Sequence, residues 1–90
     1  MEPLNVILLV QAHCAFCESA KAMLVRLSAD YPLSVFTLPL ESEVGQEIAA
    51  KHGILFAPGI LVNGEALCYG RPSERKLRRE FERRFKTSEQ

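Results

Sequence analysis

The sequence predicts an α/β fold, a four-stranded mixed sheet with helices on both faces. Three observations carry this. An apolar run from Asn5 to Val10 is followed by an amphipathic helix and a second strand, the order that forms a right-handed parallel crossover. Asn63 and Gly64 then stand between two short apolar strands, and that dipeptide takes the positive φ angles of a type I′ turn, which makes an antiparallel hairpin. A closing helix follows the hairpin.

Each element has its own justification. Val6, Ile7, Leu8, Leu9 and Val10 are apolar without interruption, as in a central strand covered on both faces. From Cys14 to about Ala29 the apolar positions Cys17, Ala20, Met23, Leu24 and Leu27 recur three and four apart, with Lys21 and Arg26 turned outward. Asp30, Tyr31 and Pro32 stop this helix. Leu33 to Leu38 alternates and is rich in β-branched and aromatic residues, giving a second strand that Pro39 ends. Ser42 caps a short helix from Glu43 to His52, with Gly53 just past its end. Gly59 to Val62 and Ala66 to Tyr69 are the hairpin strands. Ser73 caps the last helix, in which Leu77, Phe81 and Phe85 stand four apart as a buried stripe. No repeat or linker interrupts the chain. Residues 1–90 are expected to form one domain, ordered from about 4 to 86, with a polar tail from Thr87 to Gln90 that frays.

Composition narrows the function. Ninety residues can bury one core, and an apolar fraction of 48% speaks against disorder. Net charge is zero, which argues against a wholesale nucleic-acid binder, although eight of the eleven Lys and Arg residues fall between Arg71 and Lys86. Glu74, Glu80 and Glu82 interleave with them, several at the four-residue spacing of solvated helix ion pairs. No stacking aromatics accompany these charges, because Phe81 and Phe85 belong to the buried stripe. An acidic protein partner or an anionic ligand is the alternative use of that face. Three cysteines do not make a secreted disulfide framework. Met1 to Pro3 carries no basic segment, and the apolar run after it is too short for a signal peptide or a membrane span. The expectation is a cytoplasmic monomer with no membrane and no nucleic-acid partner.

The chemistry is concentrated in Cys14 and Cys17, separated only by Ala15 and Phe16. Both are expected where a strand hands over to a helix N-terminus. Unpaired amide N–H groups and the positive end of the helix dipole favour a thiolate there. A thiol of pKa about 8.5 is lowered at such positions to roughly 3.5–7.5. Cys17 comes round to nearly the same face, where it would close a short disulfide with Cys14. The pair therefore reads as an exchange centre, with Cys14 the nucleophile and Cys17 the resolving thiol. Two packed thiols, or half of a zinc site, are the competing readings. His13, His52 and Cys68 do not supply a second close pair of ligands, and no metal is expected.

The neighbours of the pair carry readings of their own. His13, as an imidazolium, would stabilise the Cys14 thiolate; otherwise it is an exposed loop histidine. Phe16 reads as a partly exposed apolar contact for substrates, or as helix packing. His52 is accounted for by its place at a helix C-terminus. Alternation puts Cys68 on the face opposite Leu67 and Tyr69, as a small buried hydrophobe, with glutathionylation the alternative.

The element order, with CxxC opening the first helix, resembles the thioredoxin fold in its short glutaredoxin-like form, βαβαββα, from about Asn5 to Phe85. A second region carries the resemblance independently. Lys51, His52, Gly53, Ile54, Leu55, Phe56, Ala57, Pro58, Gly59, Ile60, Leu61, Val62, Asn63, Gly64 and Glu65 are similar to the family passage that brings a cis proline into the hairpin. The resemblance is to small bacterial glutaredoxin-like and thioredoxin-like proteins, and it implies a cis bond between Ala57 and Pro58. Ala57 would then lie beside the sulfurs, its N–H and C=O free to pair with an extended substrate as an added strand does. The Pro58 ring would cover the thiols and hinder metal capture. His13, Phe16, Ala57 and Pro58 are accordingly the expected substrate-binding residues.

Departures from the family pattern are visible too. His13 replaces the aromatic residue usual before the first cysteine of thioredoxins, and Leu8 stands where their buried acid would fall. Phe56, Ala57 and Pro58 replace the glutathione-binding Thr-Val-Pro of glutaredoxins, and Tyr69, Gly70, Arg71, Pro72 and Ser73 replace their Gly-Gly and acidic cap. The resemblance implies a thiol–disulfide oxidoreductase with no cofactor beyond its own Cys14–Cys17 disulfide, and glutathione as a candidate cosubstrate. Its partners would be a disulfide-containing protein or small thiol substrate, with a reductase or glutathione as reductant. Two alternatives stand beside it. One is a glutathione-dependent glutaredoxin or iron–sulfur carrier, holding a cluster through Cys14 across a dimer. The other is a non-enzymatic thioredoxin-fold binding module that uses the basic helix.

Overall fold

The structure, a computed structural model, describes residues 2–88. Its elements are β1 (Leu4–Val10), α1 (Ala15–Ser28), β2 (Leu33–Pro39), α2 (Glu43–His52), β3 (Gly59–Val62), β4 (Glu65–Tyr69) and α3 (Glu74–Ser88). The strands form one sheet in the order β2-β1-β3-β4. β1 runs parallel to β2, in register from Leu4 opposite Leu33 to Val10 opposite Pro39. It runs antiparallel to β3, and β4 closes the hairpin antiparallel to β3. The expected mixed α/β sheet is therefore present, with β1 inside it. α3 continues through Thr87 and Ser88, where the sequence suggests a frayed tail; positions 89–90 lie outside the described residues.

The uninterrupted apolar run of β1 has a simple reason: its alternate side chains feed two different cores. Val6 and Leu8, with Ile60 and Val62 of β3, meet Ala20, Met23, Leu24 and Leu27 of α1 and Leu77, Phe81 and Phe85 of α3. Leu9, with Leu61 of β3, meets Ala49 of α2 together with Leu40 and Ile54. Two helices thus cover one face and one helix the other.

Local chemistry sets the ends of the elements. The Ser42 hydroxyl accepts from the Gly45 N–H at 3.0 Å, and Gly53 closes α2 in the left-handed conformation at φ 70°. The hairpin turn has φ 49° at Asn63 and 84° at Gly64, as a type I′ turn requires. Asn63 also ties the turn to the start of β1, since the Asn5 N–H donates to Asn63 Oδ1 at 2.9 Å.

Three features differ from the sequence reading or lie beyond it. β2 is an edge strand whose Val35 and Phe36 remain 40% and 58% exposed, because no helix fully covers the outer margin of the sheet on either side. In the hairpin, Ile60 pairs with Cys68 and Leu61 with Ala66, so Leu67 is an extra residue at a bulge. Strict alternation therefore fails. Leu67 and Cys68 both pack against the core under α3, which corrects the expectation that they lie on opposite faces. Tyr31, which the sequence marks only as part of a helix stop, stacks on Phe85 with ring centroids 5.9 Å apart. It also meets Phe81 edge-on and lies 5.8 Å under the Arg78 guanidinium.

The ion pairs of α3 are of two kinds. Arg84 reaches Glu80 one turn away, as the spacing predicts. Other pairs cross between elements: Arg26 of α1 with Glu74 at 2.7 Å, Arg78 with Asp30 at 2.8 Å, and Arg84 with Glu65 of β4 at 2.7 Å. The hydrogen bond from Arg26 is the main reason the Glu74 carboxyl sits below its ordinary pKa, with Arg26 and Arg78 charge adding to it. Arg83, and then Arg84, does the same for Glu80.

Two predictions follow from this packing. A Cβ on Gly45 would fall onto the carbonyl oxygens of Pro39 and Leu40, 2.8 Å from the latter, and backbone atoms cannot turn aside. Gly45→Ala, which in an open helix would stabilise by about 1 kcal/mol, is expected to destabilise by about 1–3 kcal/mol in urea unfolding. Because Glu74 and Glu80 are held below their unfolded value of 4.5, their stabilisation is fully present above that value. It is lost as pH falls through the lower folded value. Thermal midpoints should drop as pH falls below 4.5, and a Glu74→Gln, Glu80→Gln double variant should show a shallower drop.

Candidate active site

The site is built where β1 ends. After Val10 the chain turns through Gln11, Ala12 and His13, and Cys14 follows in extended backbone at φ −116° and ψ 102° as the N-cap of α1. His13 makes the turn in the left-handed region at φ 55°, which a non-glycine residue adopts rarely and histidine more often than most. The helix so begins one residue after the cysteine, whose side chain does the capping. The Cys17 N–H points at Cys14 Sγ from 3.1 Å, and Cys17 and Glu18 also donate to the Cys14 carbonyl oxygen. A negative charge on this sulfur would meet an amide donor and the positive end of the helix together.

Cys14 and Cys17 are joined as a disulfide, with Cα atoms 5.2 Å apart. Their surroundings are unequal. Cys17 is 1% exposed and packs with Leu9, Leu40, Ala57 and Leu61, whereas Cys14 is only half-buried at the margin of the same cluster. One cysteine of the pair is partly exposed and the other is buried.

The loop before β3 forms the second wall. Ala57 is buried in the cluster that holds both cysteines, and its bond to Pro58 is cis. Pro58 is fully buried, and its carbonyl oxygen accepts from the Gly70 N–H at 2.8 Å, which fastens the loop to the end of β4. The Ala57 N–H is not open; it donates to Gln11 Oε1 at 3.3 Å. Phe16 projects from the first turn of α1 and is 49% exposed. His13 is exposed as well. Next to Ala57, Phe56 is half exposed and meets the Tyr69 ring edge-on at 5.1 Å.

Of the residues singled out in the sequence, Cys14, Cys17 and Ala57 come together in one cluster, Pro58 directly follows, and His13 and Phe16 flank the half-buried sulfur along the chain. His52 and Cys68 lie elsewhere, lining a separate cavity of about 330 Å³ with Ile54, Tyr69 and Lys76. Burial pushes the Cys68 thiol pKa up, and Lys76 offsets only part of that. Among the described residues no group of three or more His, Cys, Asp or Glu is placed to hold a metal ion, and no helix is long and apolar enough to cross a membrane. Sequence reasoning missed Gln11 and the Phe56–Tyr69 pair. Phe56 is adjacent to a residue already chosen, and the hairpin places Tyr69 opposite Gly59, so that pair had a signal. Gln11 had none.

Comparison with known proteins agrees with this geometry. No protein-family model matches the chain. A curated relative described as a probable thioredoxin, from Archaeoglobus fulgidus, is 28% identical over 65 residues, covering 72% of this chain and 71% of that one. A mutant thioredoxin from Halobacterium salinarum superposes with a TM-score of 0.71 at 16% identity, over 91% of this chain and 74% of the other. A thioredoxin-like protein from Clostridium perfringens superposes with a TM-score of 0.72 at 15% identity, over 90% and 70%. With the βαβαββα order, the mixed four-stranded sheet and the cysteine pair heading its first helix, this chain has the thioredoxin fold.

Proposed function

We propose that the protein is a thiol–disulfide oxidoreductase that uses Cys14 and Cys17 as its only redox group. The observation that carries this reading is the unequal burial of the two cysteines at the head of α1. A nucleophile must be reachable and easily ionised, and Cys14 has both solvent access and the Cys17 amide aimed at its sulfur. A resolving thiol must be kept from outside partners yet stay within reach of the first, which is the situation of Cys17.

In the reduced protein the Cys14 thiolate attacks one sulfur of a substrate disulfide. A Cys14–substrate bond forms, the substrate S–S bond breaks, and the departing thiolate takes a proton from solvent. Cys17 then loses its proton and attacks Cys14 Sγ, which releases the second substrate thiol and leaves the Cys14–Cys17 disulfide present in the structure. Two electrons have passed to the substrate. An external reductant, a reductase or glutathione, returns them. No side-chain carboxylate among the described residues is buried beneath the pair, and Leu8 is fully buried. Solvent is the proposed acceptor for the Cys17 proton.

The substrate side of the site is proposed to comprise His13, Phe16, Ala57 and Pro58. The exposed rings of Phe16 and Phe56, with Tyr69 behind the latter, favour a disulfide carried by a polypeptide over a small polar one. The glutaredoxin-like reading differs from this in its reductant. Turnover driven by glutathione and glutathione reductase would place the protein there, and turnover driven by thioredoxin reductase would place it with thioredoxins.

The division of labour is testable with insulin as substrate. Cys17→Ser is expected to accumulate a mixed disulfide through Cys14, visible by mass spectrometry. Cys14→Ser should reduce insulin no faster than the uncatalysed reaction. Equal loss or equal activity in the two variants would refute the assignment.

A further inference from the structure

Two loops flank the disulfide: the turn from Gln11 to Cys14, and the segment that ends at Ala57 and Pro58. Ala57 precedes β3, which begins at Gly59, so its N–H has no partner in the sheet ladder. A half-buried backbone donor left without an acceptor costs free energy, and the fold supplies one from 46 positions away, the Oε1 of Gln11. The residue supplying it is an exposed glutamine just past the end of β1, one side-chain rotation from solvent. Its carboxamide is also the functional group of a peptide bond. Gln11 therefore presents to Ala57 the same carbonyl that the backbone of an extended polypeptide would present when laid along this loop.

We infer that Gln11 is an internal stand-in for substrate backbone. It holds the Ala57 N–H while the site is empty and gives it up to a polypeptide carbonyl when a substrate docks. The inference rests on the exchange reaction proposed for Cys14 and Cys17. Gln11 does not touch the reacting sulfurs, so it is a positioning residue that sets which disulfides bind well. A polypeptide displaces it and regains one hydrogen bond for the one broken. A small disulfide with no backbone to offer leaves Gln11 in place. Competition from Gln11 thus raises the KM of polypeptide substrates and leaves the chemical step alone.

The test compares two substrates, a linear peptide dimer joined by a single disulfide and bis(2-hydroxyethyl) disulfide, across wild type, Gln11→Ala and Gln11→Glu. Removing the competitor in Gln11→Ala should lower the peptide KM by roughly two- to tenfold, the net worth of one neutral hydrogen bond over water. kcat and the KM for the small disulfide should not move, and the Ala57 amide should exchange with deuterium faster. In Gln11→Glu, a carboxylate accepts the same N–H more strongly, and the peptide KM should rise. Any effect of the new charge on Cys14 itself would appear with both substrates and cancel in their ratio. A peptide KM that is unchanged or higher in Gln11→Ala, or that moves in step with the small disulfide in both variants, overturns the role of Gln11 while the exchange reaction stands. Wild-type protein that turns over neither disulfide overturns the exchange reaction, and Gln11's part in it falls too.

Discussion

The structure depends on one constraint, the burial of the middle of β1 on both of its faces. Leu8 and Leu9 are neighbours, neither exposes any surface, and they face opposite cores. A strand in that position cannot slip by one residue without turning every core side chain the wrong way. Its register with β2 and β3 is fixed as a result, and so is the point at which it ends. The turn after Val10 consequently opens at a set distance from the loop before β3, although the two segments are far apart in sequence. The cysteines, Gln11 and Ala57 meet because a rigid strand delivers one side of the site and its hairpin neighbour delivers the other.

The helix that starts there gains its chemistry from position more than from composition. Cys14 is a capping residue, and a capping side chain faces the unpaired amides of the first turn. Three positions later the helix has turned Cys17 into the core between Leu9 and Ala57. No charged side chain is buried among the described residues, so the sulfurs are distinguished by depth and by backbone dipoles, without a buried acid or base beside them.

The parts of this architecture legible in the sequence are those set by short-range chemistry. Ser42 and Gly53 bound α2 where cap preferences put them, Asn63 and Gly64 turn the hairpin, and Leu77, Phe81 and Phe85 line the buried side of α3. The CxxC spacing gave the pair, and only the family resemblance suggested Ala57 and Pro58. What escaped depends on partners distant in the chain. The bulge at Leu67 is set by pairing with β3, so alternation within β4 misplaced Leu67 relative to Cys68. The exposure of Val35 and Phe36 follows from β2 lying at the sheet edge, which strand order decides and local pattern does not. The contact of Gln11 with Ala57 spans half the molecule's sequence, and a single glutamine after a strand announces nothing.

The way α3 is attached has its own consequence. Its links to Asp30, Glu65 and Arg26 are made by groups that are mostly in contact with solvent, while Leu77, Phe81 and Phe85 sit in the core. At physiological ionic strength exposed charges are screened beyond about 8 Å, and such pairs contribute about 0–1 kcal/mol each. Dissolved electrolyte can therefore weaken the outer fastenings of the helix without unseating it. The side chains buried beneath keep α3 on the sheet in dilute and concentrated brine alike.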